Sequence, residues 1–246
     1  MSETFDEPRQ YHIDCEPGDV GRYVLLPGSP DRVPLIASFF DNPREIARKR
    51  EYVTYTGSLN GVPVSVTSTG IGGPSTAIAV EELSKIGADT FIRVGTSGIM
   101  QPQIQIGDLI IATSAIRDEG TSHQYMPPEF PAVAHMDIVQ ALQSACVYQN
   151  RRFHTGIVHS KDSFYGEVQS ERMPMKRHLQ ERWQTWIAGG SLCSEMESST
   201  LFVVSSFLGT RAGALMQAGG THHSVEVLCQ TAVQALKELI IKDASS

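Results

Sequence analysis

The chain has 246 residues, long enough to bury a sizeable core without disulfide or metal staples. Its 27 Asp and Glu against 20 Lys and Arg leave a net charge of −7. This argues against nucleic acid as a partner, because such binding relies on a basic face. With 41% hydrophobic and 19% charged residues the chain is neither disordered nor fibrous.

No apolar run reaches the roughly 18–20 residues that a membrane helix needs. The polar start, Met1–Gln10, has no apolar stretch of a secretory signal. Cys15, Cys146, Cys193 and Cys229 lie far apart, without CxxC or metal-ligand spacing. Buried, inert thiols in a reducing cytoplasm are therefore expected.

In chain order, residues 1–20 read as an extended arm. Tyr23–Leu26 is an apolar strand stopped by Pro27-Gly28, and Asp31–Phe40 reads as a helix. Glu51–Ser58 alternates as a strand does, Asn60-Gly61 signals a hairpin, and Val62–Thr69 returns as its partner. After the tight loop Gly70–Pro74, Ser75 is expected to cap a helix to Ile86, with Gly87 as its stop. Thr90–Val94 is a buried strand leading into a turn at Gly95–Gly98, and Gly107–Thr113 is another strand. A polar loop spans Arg117–Pro131. Then come a helix (Asp137–Asn150), a strand (Thr155–Ser160) and a second long loop over 161–175. Helices over 176–188 and Glu195–Leu208, a strand at Arg211–Met216 and a last helix at Val225–Ile241 complete the chain. Strands alternate with helices throughout, with no composition shift. The expectation is one α/β domain over 1–246, a mixed central β-sheet flanked by helices.

Glycine-rich turns follow apolar strands at Pro27–Arg32, Gly70–Ser75 and Gly95–Gly98. In such folds ligands collect at strand C-terminal ends, where backbone N–H groups face an anion. None of these turns is a dinucleotide or P-loop motif, and singly each is ordinary punctuation. The arginines shift the balance. Arg93 lies inside an apolar strand, where it needs an anion or a carboxylate; alone, a buried salt bridge explains it equally well. Arg32 follows the first turn, Arg50 opens the strand after the first helix, and Thr96 adds a hydroxyl. Together they favour a bound oxyanion, whose tetrahedral oxygens suit Arg forks. Glu195 and Glu197 open an apolar helix. They either answer its dipole or present acceptors to vicinal sugar hydroxyls. Phe164, Gln169 and Arg172 belong to a loop that can face a heterocycle edge. His222-His223 lacks further ligands for a metal, and the remaining histidines, His159 among them, give no usable pattern.

Several stretches together resemble the nucleoside phosphorylase family, most of all its uridine phosphorylases. They are Pro27-Gly28-x-Pro30-x-Arg32, Arg50-Glu51, Ser68–Ser75, Arg93-Val-Gly-Thr96, Glu129–Ala134, Phe164-Tyr165 and Glu195-Met-Glu197-Ser198. The resemblance implies phosphorolysis, in which a nucleoside and phosphate give ribose 1-phosphate and the free base. By it, Gly28, Arg32, Arg93 and Thr96 would hold phosphate, with Arg50 reaching in from a neighbouring subunit. Glu195, Met196 and Glu197 would hold ribose, the neighbour's His12 would touch the 5′-hydroxyl, and Phe164, Gln169 and Arg172 would face uracil. It further implies a hexamer built from dimers and no cofactor, phosphate being a co-substrate. A monovalent cation such as K⁺ would sit at the dimer interface on Glu51, Ile71 and Ser75.

Two departures from the family pattern stand out. Gln169-Ser-Glu-Arg172 is one residue longer than the usual Gln-x-Arg, which favours Arg172 over Gln169 as a base contact. After Met216, where relatives carry a flap with a further Arg, Gln217–Thr221 runs almost directly into the last helix. The stretch is shorter by roughly a dozen or more residues in a region where loops tolerate deletion. Either the flap is lost or the sequence as given omits a stretch there; a true deletion would leave the base pocket open to water, with weak activity as the consequence. A purine phosphorylase ranks lower, since its relatives place an Asp after the late strand and none stands between Gly209 and Lys242. A nucleosidase has no need of the arginines. A nucleoside-binding protein without turnover is the alternative from another class.

Overall fold

The computed structural model describes residues 8–220 and 224–245. Ten strands form one mixed sheet: β1 (Tyr23–Pro27), β2 (Asp41–Lys49), β3 (Tyr52–Leu59), β4 (Val62–Thr67), β5 (Thr90–Ile99), β6 (Leu109–Asp118), β7 (Ala132–Val133), β8 (Phe153–Lys161), β9 (Cys193–Glu195) and β10 (Arg211–Ala218). Helices α1 (Arg32–Ala37), α2 (Gly73–Lys85), α3 (Met136–Tyr148), α4 (Phe164–Val168), α5 (Lys176–Ala188), α6 (Ser198–Leu208) and α7 (Glu226–Ala244) surround it. No helix among the described residues is long and apolar enough to cross a membrane.

The strands run β10-β6-β8-β9-β5-β1-β4-β3-β2, with β7 on β6, and β10 also pairs with β5. The last pairing closes β5, β10, β6, β8 and β9 into a ring, and β1, β4, β3 and β2 extend from it. The register Arg211↔Thr90 to Ala218↔Ser97 holds β10 against the whole of β5. That is why Gly95–Gly98 is strand and not the turn read from sequence: β10 and β9 satisfy its backbone on either side.

β1, flanked by β4 and β5, is buried at every residue, as expected of a parallel strand covered on both faces. Asn60-Gly61 makes the hairpin turn with φ of 52° and 76°, the left-handed pair that a two-residue turn requires. β2 has no counterpart in the sequence reading. Its residues are charged, mostly exposed and include Pro43, which suits an edge strand that must not recruit partners. α1 is shorter than expected, ending at Ala37. α6 is almost wholly buried, with Leu201, Phe202, Val203 and Val204 at 1% exposure or less. It packs on α2 and on β6 and β10, while α3 packs on α7. Residues 8–20 are not a loose arm. Ile13 and Cys15 are fully buried, and buried Glu82 on α2 accepts the backbone N–H groups of His12 and Ile13.

Candidate active site

The site is assembled where β1, β4, β5 and β9 end. Gly28, after β1, lies against Gly70, after β4: a Cβ on Gly28 would stand 3.1 Å from the Gly70 carbonyl oxygen. α2 starts at Gly73 with Gly72 in the capping position, so Ser75 is not its cap; the Ser75 hydroxyl instead turns back to the Gly72 and Ile71 carbonyls. Cys193–Glu195 is strand and not the first turn of a helix, and α6 starts only after Glu197.

This displacement puts both carboxylates on Arg93. Arg93 Nε donates to Glu195 at 2.7 Å, and Nη2 pairs with Glu197 at 2.5 Å. The guanidinium lies flat over its own strand, because a Cβ on Gly95 would stand only 2.7 Å from Nη2. Glu195 also accepts the Ser160 hydroxyl and the N–H groups of Glu197 and Ser198. Glu197 accepts the Gly72 N–H at 2.6 Å. Burial would raise Glu195, but Arg93, Ser160 and the two N–H groups hold it below the ordinary carboxylate value. At Glu197 burial prevails over Arg93 and, aided by the charge of Glu195, raises the carboxyl. The salt-bridge reading of Arg93 is therefore correct as far as its partners go.

Arg32 is different. It is 9% exposed, donates to the Val94 carbonyl at 2.8 Å, and has no carboxylate partner among the described residues. Burial lowers its pKa, and Arg93 nearby lowers it further. Thr96, two residues after Val94, is half-buried. Buried, uncompensated positive charge beside a glycine-rich backbone and a hydroxyl is what an oxyanion needs. Met196 is half-buried between its buried neighbours Glu195 and Glu197.

Other predicted residues stand apart. Arg50 does not open a strand. It occupies the turn between β2 and β3 with φ 55°, is exposed, and makes no hydrogen bond among the described residues. His12 is held by its own chain: Nδ1 lies 2.6 Å from Glu82 Oε1, and the half-buried ring meets Tyr11 edge to face. Glu51 and Ser75 both border Gly70, whose Cβ would stand 2.9 Å from Glu51 Cγ and 3.4 Å from Ser75 Oγ, and Ile71 beside them is exposed. Carboxylate, carbonyl and hydroxyl oxygens there are the donor set of a hard cation. No cluster of three His, Cys, Asp or Glu occurs among the described residues. His222-His223 lies outside them.

The 161–175 loop contains α4. Phe164 is exposed and meets Tyr165 edge to face, and Arg172 lies over the Tyr165 ring. Gln169 Oε1 accepts from Arg172 Nε at 2.6 Å, so these two are engaged with each other. His159, unassigned from sequence, is buried between Asp118 and Ser194. It lines a cavity of about 490 Å³ whose walls include Lys161, Glu167, Trp183 and Trp186. Sequence reading missed Ser160, Lys161, Glu167 and Ser194, because nothing local marks a polar residue whose partners lie on other elements.

This geometry, an arginine-lined anion basin next to paired carboxylates, has a family behind it. Residues 22–242 match the family model described as the phosphorylase superfamily, and the chain belongs to that superfamily. Among its relatives is the uridine phosphorylase of Treponema pallidum, 48% identical over 99% of both chains. That of Thermococcus kodakarensis is 52% identical over 85% of this chain and 76% of its own. A guanosine phosphorylase of Halorubrum lacusprofundi is 38% identical over 86% and 83%. The Treponema match runs over 256 positions, more than the 246 residues present here, so that relative carries residues without a counterpart in this chain.

Proposed function

We propose that the protein catalyses the reversible phosphorolysis of uridine to uracil and ribose 1-phosphate, a step of pyrimidine salvage, in the cytoplasm. The observation that carries this is Arg32, a buried guanidinium with no carboxylate partner among the described residues, next to Arg93 and Thr96. The uridine phosphorylases among the relatives supply the substrate.

Phosphate sits against Gly28, Arg32, Arg93 and Thr96. Arg93, already shared by Glu195 and Glu197, acts mainly by orienting them, and Arg32 supplies the free charge. Glu197 retains acceptor capacity for ribose hydroxyls, and Met196 packs on the sugar. As the glycosidic bond breaks, positive charge grows on the ribose ring and negative charge on the base. The bound phosphate stabilises the first and attacks C1′, while donors on the base stabilise the second. Phe164 and Arg172 border the base. Arg50 and His12 reach the site of a second copy, which the exposure of Arg50 favours, and the assembly is a hexamer of dimers. A monovalent cation is held at the dimer interface by Glu51, Ile71 and Ser75. No organic cofactor takes part.

The test is loss of the uracil absorbance band on incubation with uridine, with and without phosphate, and with inosine in parallel. Phosphate-dependent cleavage of uridine and not of inosine is the expected outcome. Absence of turnover, or cleavage that ignores phosphate, overturns the reading.

A further inference from the structure

Thr96 and Gly98 are two residues apart on β5, so they face the same side of the strand, about 7 Å apart. Gly98 is exposed and registers opposite Ser194, which in turn registers opposite His159; Lys161, two residues on, shares that face. Onto this face α4 brings Glu167. Its Oε2 pairs with Lys161 Nζ at 2.7 Å and accepts the Ser194 hydroxyl at 2.5 Å. Lys161 Nζ also donates to Ser194 at 2.7 Å. Two of the three ammonium N–H groups are thereby used, and one is left. Glu167 Oε1 makes no hydrogen bond among the described residues and would stand 3.4 Å from a Cβ on Gly98. Both side chains are largely shielded from water, at 9% and 15% exposure for Lys161 and Glu167.

We propose that Glu167 and Lys161 read the base. The inference rests on the phosphorylase reading above and replaces Gln169, whose side-chain carbonyl oxygen accepts from Arg172. The anion basin at Thr96 and the pair beyond Gly98 lie one strand repeat apart along one face, the direction in which a nucleoside extends from the attacking phosphate to its base. A free carboxylate oxygen beside a free ammonium N–H complements a ring N–H next to a carbonyl. Uracil presents that edge: N3–H donates to Glu167 Oε1, and the O4 carbonyl accepts from Lys161. Cytosine reverses both positions, with an acceptor at N3 and a donor at C4, and leaves the buried pair unmatched. A site whose polar groups are left unpaired rejects the wrong partner more strongly than a purely apolar pocket does. Lys161 also stands where negative charge grows on the departing base.

The experiment compares kcat/KM for uridine, cytidine and 3-methyluridine, in which N3–H is replaced, for the wild type, Glu167→Gln and Glu167→Ala. Circular dichroism and size-exclusion profiles accompany each variant. The wild type is expected to favour uridine over both other nucleosides by at least a hundredfold. Glu167→Ala is expected to lose at least tenfold of the preference over 3-methyluridine, mostly through KM for uridine. Glu167→Gln, which keeps a carbonyl acceptor, retains part of it. Turnover of uridine with an unchanged preference in Glu167→Ala would overturn this assignment and leave the phosphorylase reading intact. A folded wild type that turns over none of the three with phosphate would remove both. Should Glu167→Ala fail to fold, equal wild-type rates on uridine and 3-methyluridine would still sink the proposal, and a hundredfold wild-type difference that falls only in part in Glu167→Gln would support it.

Discussion

Arg32 and Arg93 are both buried arginines within a few residues of glycine-rich backbone, yet the fold treats them oppositely. Arg93 is matched by two carboxylates that form no other ion pair among the described residues, so its removal strands both of them in the interior. Arg93→Leu is expected to destabilise the protein by about 3–5 kcal/mol, measured by urea denaturation. Arg32 is stranded already, held by one carbonyl. Its replacement relieves a desolvation cost and removes the charge that attracts phosphate. Arg32→Met is therefore expected to keep or raise the urea midpoint while KM for phosphate rises at least tenfold. A variant that loses stability and activity together would deny Arg32 this role.

α7 illustrates how an element is secured at an unfavourable end. Asp243 lies in its last turn, where the helix dipole disfavours negative charge. Arg211 at the start of β10 answers with two bonds to Asp243, at 3.0 and 2.5 Å, and Tyr23 of β1 donates a third at 2.7 Å. The Arg211 bonds, opposed by burial and helped by Tyr23, pull the carboxyl from its ordinary 3.8 to about 2. A carboxyl lowered on folding stabilises fully above its unfolded value and loses that contribution as pH falls through the folded one. Asp243→Asn is expected to cost about 1–2 kcal/mol at pH 7. The gap from wild type should hold down to about pH 4 and close towards pH 2. A gap in urea midpoints that does not change with pH over this window would show that the bonds matter through geometry and not charge.

At the scale of the whole molecule, Arg50 and the proposed phosphate residue Arg32 stand on different elements of one chain, the β2–β3 turn and α1. Arg50 sits exposed on the turn between β2 and β3, with φ 55° in the left-handed region that such turns use. If Arg50 serves a second copy, Arg50→Ala and Arg32→Met each weaken every site in their own homo-oligomer when phosphate is kept well below the KM of the variants. Co-refolding the two leaves mixed dimers with one intact site, one chain supplying Arg32 and its partner Arg50. About a quarter of wild-type activity should return on mixing equal amounts. No recovery in mixed, folded oligomers would place Arg50 within its own chain's site or outside the site altogether.

Much of this was legible before folding. Apolar period and turn residues located β1, the β3–β4 hairpin, α2, α3 and α7, because those segments carry their burial pattern within a dozen contiguous residues. Glycine and arginine spacing also singled out Arg32, Arg93 and Thr96, and the fold brings Arg32 onto β5 through its bond to the Val94 carbonyl, between the other two in sequence. Local pattern failed where an element owes its state to a distant neighbour. β2 is a charged edge that exists only because β3 pairs with it, and Gly95–Gly98 is strand only because β9 and β10 hold it. The same distance hid the partners of the site. Glu195 and Glu197 meet Arg93 from about a hundred residues away, and Glu167 meets Lys161 and Ser194 across three elements. Residue types and their order define which chemical groups the chain owns. Ring closure of β5, β10, β6, β8 and β9 decides which of them share a face, since charge pairing and desolvation depend on separation in space and not along the chain.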